Sequence, residues 1–144
     1  GNALMPKNLN TLIRLHKYRV DEKRRSLGEL LGEVATLETR SKNLEHEIIT
    51  EQQTASAAPE SVGMFYGAYA KEVVNKRREI LTEISHFEAQ IASTREEMRS
   101  EYKDLKIFEI TQERRDQITA LETTKIEQAT LDELGLETHR RRRN

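Results

Sequence analysis

Residues 50–63 read TEQQTASAAPESVG, and this stretch decides the fold. On both sides of it the chain follows a long helical repeat. Here small residues, Pro59 and Gly63 interrupt that repeat, and no comparable breaker cluster occurs elsewhere. Proline has no backbone N–H to give a helix, and it pushes the preceding residue out of the α region. A turn is therefore expected over about residues 54–64, between two helices.

Toward the N-terminus, apolar residues recur with a seven-residue period. With Ile13 as an a position, the a series is Ile13, Val20, Leu27, Val34, Ser41 and Ile48. The d series is Leu9, His16, Lys23, Leu30, Leu37 and Leu44. Only His16, Lys23 and Ser41 break an otherwise apolar seam, which predicts one helix over about residues 9–53. Gly28 and Gly32 fall off that seam, where each weakens a helix by roughly 0.5–1 kcal/mol relative to alanine.

Toward the C-terminus, a second stripe runs Val73, Ile80, Ile84, Phe87, Ile91, Met98, Leu105 and Phe108, with Arg77, Thr94 and Glu101 as polar members. It predicts a helix over about residues 65–136, followed by a basic tail over 137–144 that contains Arg140–Arg143. Tyr102 stands one step off this seam, placed to cover Glu101. Helices of these lengths, roughly 68 Å and 105 Å at 1.5 Å per residue, need a partner along their length. A short connection favours antiparallel packing. The expected fold class is all-α, a long antiparallel two-helix coiled coil whose second helix is the longer. Pairing about residue 59 sets Leu44 near residue 74 and Leu9 near 108–110. The second stripe should then fail once the first helix runs out, and it does: Gln112, Arg115, Thr119 and Glu122 follow Phe108 on the seam. The last thirty or so residues form a helical overhang without a partner in the chain.

Bulk composition agrees. Hydrophobic residues make up 35% of the chain and charged residues 34%, too little apolar material for a thick core but enough for a seam between helices. The net charge of −1 and the two prolines argue for ordered helix against disorder. Charge is uneven: residues 1–25 carry seven basic and two acidic residues, and residues 26–64 carry two basic and seven acidic. The hairpin should have an acidic tip and a basic end, a dipole able to steer a partner. There is no cysteine, which fits a reducing compartment. No 18-residue apolar run or signal peptide is visible, and residues 1–4 look like a tag remnant ahead of Met5 and a single domain over 5–144.

Chemistry finds little purchase. His16, His46, His86 and His139 are scattered without a metal-ligand spacing, so no metal is expected. No phosphate loop or nucleophile elbow is present, and a two-helix rod has no concave pocket to tune a carboxylate. No catalytic residue, cofactor or enzymatic activity is expected. Basic runs at Lys23–Arg25, Lys76–Arg78 and Arg140–Arg143 admit a nucleic-acid or anionic-surface binder, but acidic residues interrupt almost every basic face and no aromatic platform accompanies them. A structural coiled-coil oligomerisation protein is the other alternative. Protein binding remains, with Arg14, Tyr18, Arg19 and Arg24 near the basic end as candidate contacts.

Two segments carry a resemblance. LNTLIRLHKYRVDEKRRSLGELLGEVATLE, beginning at Leu9, is similar to the opening helix of the FliJ family, and YKDLKIFEITQERR, beginning at Tyr102, resembles that family's second-helix signature through Lys106, Phe108, Glu109 and Arg114. A short match at Glu127 and Leu131-Asp132-Glu133 adds to it, and the likeness spans residues 5 to about 143. FliJ proteins are coiled-coil components of the flagellar type III export apparatus, related to YscO-like injectisome proteins. The resemblance implies a stalk that inserts its terminal helical end into the hexameric export ATPase ring and contacts the export gate and the substrate chaperones. It implies a cytoplasmic protein, peripheral to the inner membrane at the flagellar base. On this reading Arg14, Tyr18, Arg19 and Arg24, with Lys106, Glu109, Arg114 and Arg115, meet charged loops of the ring.

Overall fold

The computed structural model describes residues 8–56 and 60–143. The chain forms two long antiparallel helices, α1 (Asn10–Ser56) and α2 (Glu60–Arg143), in a helical hairpin whose second arm is the longer. Residues 54–56 and 60–64, which fall in the expected turn, are helical; residues 57–59, Pro59 among them, lie outside the described residues. Residues 1–4 lie outside them as well. At its far end α2 takes in the arginine run as its last turn, with no change of conformation at Leu136. Cations at a helix C-terminus complement the macrodipole, which gives Arg140–Arg143 a local reason to stay helical.

Burial follows the heptads. Leu9, Val20 and Leu37 are buried on α1, as are the polar seam members His16 and Ser41; Val73, Ile80, Ile84, Ile91 and Leu105 are buried on α2. Every other a and d position of α1 from Ile13 to Ile48 is half-buried, while most flanking positions are exposed. The contacts divide into two compact units: one contains α1 up to Tyr18 with α2 from Glu101, and the other comprises Arg19–Ser100.

In the second unit, Leu37 packs with Ile80 and Ile84, and Val34, Leu44 and Phe87 close around them. Burying a branched aliphatic side chain of this kind contributes about 1.5–3 kcal/mol. Antiparallel pairing shows directly: Lys23 pairs with Glu97, Glu45 with Arg77, and Glu47 with Tyr69. As α1 advances, its partner on α2 retreats. In the first unit the same sense holds, with Leu9 bonded to Gln112 and His16 to Glu101. Leu9 thus pairs slightly beyond the expected 108–110.

Residues 116–143 are exposed throughout. Ile118, Leu121, Ile126, Leu131, Leu134 and Leu136 stand between 54% and 67% exposed, and α1 covers none of them. The expected overhang is present and fully helical.

Candidate functional site

Six of the eight candidate residues lie at the start of α1 and on the part of α2 paired with it. Asn8 caps α1: its Oδ1 accepts the backbone N–H of Asn10 at 2.9 Å. Leu9 donates its own N–H to Gln112 Oε1 at 2.9 Å, so the second helix satisfies one of the four donors that a helix start leaves unpaired. Gln112 also donates Nε2–H to Asp116 Oδ1 at 2.9 Å, which aims the amide oxygen at Leu9. One heptad into α1, the His16 ring lies 5.2 Å from the Phe108 ring, and its Nδ1 is 2.6 Å from Glu101 Oε2.

Arg14 and Tyr18 are exposed on this stretch of α1, with Tyr18 at 59%. On α2, Lys106 Nζ is 5.2 Å from the Tyr102 ring centroid and 3.8 Å from Glu109 Oε2. Tyr102 is half-exposed and bound up with Lys106; it is His16 that meets Glu101. Arg114 is exposed and Arg115 half-buried, both just past Gln112 where the pairing with α1 ends. Arg14, Tyr18, Lys106, Glu109, Arg114 and Arg115 therefore belong to one compact unit. Arg19 and Arg24 belong to the other, where Arg24 holds Asp21 at 3.2 Å along the same helix face.

The charges left in the seam are answered across it. Lys23 is bonded to Glu97, and that ammonium, first by its hydrogen bond and then by its charge, holds the Glu97 carboxyl below the ordinary carboxylate range. Arg77 reaches Glu45 at 3.8 Å, although its Nε is buried without a partner. At the acidic end of the hairpin arms, Tyr69 donates its phenol O–H to Glu47 Oε1 at 2.5 Å. That bond, with desolvation and the charges of Glu47, Glu51 and Glu72, pushes the Tyr69 phenol up to about 12. An open groove lined by Arg40, Asn43, Leu44, Lys76, Glu79, Ile80 and Glu83 runs along the second unit.

Two partners escaped the sequence. Glu97, which answers Lys23, drew no notice, and Gln112 was read only as a place where the second stripe fails. Their signal was present in principle: opposite charges and capping groups fall opposite one another once the antiparallel register is known to within a residue or two.

A hairpin of unequal helices with polar groups matched across its seam narrows the family, and one family model matches. The description "Flagellar FliJ protein" covers residues 6–144. The chain belongs to the FliJ family. Comparison with curated proteins and with solved structures gives no match. FliJ-family proteins are non-enzymatic scaffolds, and the all-α hairpin is consistent with a coiled-coil component of flagellar export. Among the described residues, no helix is long and apolar enough to cross a membrane.

Proposed function

We infer that this FliJ-family chain is a stalk-like component of the flagellar type III export apparatus. It binds the export ATPase hexamer through the paired helical end and couples that ring to the export gate and substrate chaperones. Its place is cytoplasmic, at the flagellar base, peripheral to the inner membrane. The observation that carries this reading is the family match over residues 6–144. The overhang supports it, because residues 116–143 present an exposed helix that α1 does not cover. The work is differential binding, not bond chemistry: exposed charge steers encounter and docked apolar surface supplies affinity.

Arg14, Tyr18, Arg19, Arg24, Lys106, Glu109, Arg114 and Arg115 are the contacts we assign to the ATPase. Arg14, Tyr18 and Arg114 are exposed, so they are available to an outside surface. Charge reversal of Arg14 and Arg24 together should preserve helicity by circular dichroism and abolish capture of the export ATPase. Undiminished capture by the double variant would remove these residues from the interface, and absence of capture by the wild-type chain would remove the ATPase reading itself.

A further inference from the structure

His16, Glu101 and Asp104 form a cluster that the helical repeat by itself does not explain. One potential ligand atom from each, the His16 ring nitrogen and one oxygen from each carboxylate, lies within 4.8 Å of the others. His16 is buried, at 9% exposure, Glu101 is half-buried and Asp104 lies at the solvent edge, all in the same unit. Glu101 and Asp104 stand three positions apart on α2, so they share a helix face, and His16 comes to them from α1. Phe108 lies against the imidazole with ring centroids 5.2 Å apart, limiting how far the ring can swing.

We propose that these three side chains bind a divalent transition metal, with zinc(II) as the ion of best fit. Imidazole nitrogen with two carboxylate oxygens is a donor set that zinc accepts at about 2.0–2.2 Å, and tetrahedral ligands at that distance stand roughly 3.4 Å apart. The cluster needs side-chain rotation of about an ångström to close on an ion, within the freedom of a half-buried Glu and an Asp at the solvent edge. In the free chain, His16 Nδ1 and Glu101 Oε2 hydrogen-bond to each other at 2.6 Å; the ion takes the place of that bond and recruits Asp104 as the third ligand. Two carboxylates balance its charge, and water completes the fourth position on the exposed side. Magnesium, which demands six oxygen-rich ligands and gives up water reluctantly, is excluded by the imidazole and by the small donor count. The ion would staple the first turns of α1 to α2 and stabilise this unit through linkage. The site is independent of the export reading.

Zinc chloride titrated into the full-length, chelator-treated chain tests the site by calorimetry, with magnesium chloride as control. One zinc per chain is expected, together with a rise in melting temperature and no response to magnesium. NMR should show the His16 imidazole signals shifting on addition of zinc while those of His46, His86 and His139 stay in place. Asp104→Asn is the decisive variant, because it removes a ligand and leaves the His16–Glu101 bond intact. It should melt like wild type without metal and bind zinc at least tenfold more weakly. His16→Gln should lose the site as well. Wild-type affinity in Asp104→Asn, zinc shifts confined to the other histidines, or no zinc binding at all would each overturn the proposal.

Discussion

Leu9 donates its backbone N–H to the Gln112 side chain across 103 residues of sequence, so the start of one helix is capped from the other. Leu9 is fully buried, which makes that donor costly to leave unmet. Gln112→Ala should lower stability by about 1–2 kcal/mol. It should also speed amide exchange at Leu9 more than at Leu37. Equal exchange at Leu9 in wild type and variant would show that the cap does not hold this end.

Arg77 occupies a seam position between Val73 and Ile80, and its buried Nε has no partner. A single 3.8 Å contact with Glu45 does not offset that desolvation well. Arg77→Leu is expected to raise the chemical-denaturation midpoint, by about 1 kcal/mol in stability. A loss of stability would mean that the pairing with Glu45 outweighs the unmet donor.

Gly28 and Gly32 lie on an exposed face of α1, and a Cβ built on either meets nothing within 4 Å. With no steric penalty, Gly28→Ala and Gly32→Ala should each stabilise the helix by about 0.5–1 kcal/mol and raise the thermal midpoint. A fall in the midpoint would reveal a packing role for this glycine pair.

Tyr69 ionises late because its phenol donates to Glu47 and sits among acidic groups. Its pKa is raised from 10.0 to about 12, so the protonated form is the one the fold favours. The contribution is complete below pH 10 and disappears as pH rises toward 12. Tyrosinate absorbance during an alkaline titration should show a late component that Tyr69→Phe removes. Persistence of that component in the variant would assign it to another tyrosine.

Lys23 and Glu97 give the opposite sign. The Glu97 carboxyl is held below its ordinary value of 4.5, so the pairing is present above that pH and fades as acid protonates the carboxylate. A double-mutant cycle with Lys23→Ala and Glu97→Ala, read from thermal midpoints, should show coupling at pH 7 that vanishes in strong acid. Coupling unchanged by acid would exclude an ionic origin.

Much of this was legible in advance. Leu9, Val20 and Leu37, like Val73, Ile84 and Leu105, become buried because a period near 3.5 puts them on one stripe, and burying that stripe drives the helices together. The failure of the second stripe after Phe108 foretold the bare overhang. The placement of Arg14 and Tyr18 on exposed faces followed from the same periodicity. The register resisted. Pairing about Pro59 put Leu9 opposite 108–110, and that error hid Gln112, because a residue or two of axial slip exchanges a seam partner for its neighbour.

Periodicity, the breaker at residues 50–63 and the imbalance of arm lengths were enough for two antiparallel helices of unequal length. These are local properties, set by side-chain spacing and backbone stereochemistry within each segment. Which polar groups answer one another is not local. His16 meets Glu101 and Phe108, Lys23 meets Glu97 and Leu9 meets Gln112 only after two distant segments come together at one axial offset. That offset is a balance of packing and pairing summed along both helices, so only the tertiary structure decided it.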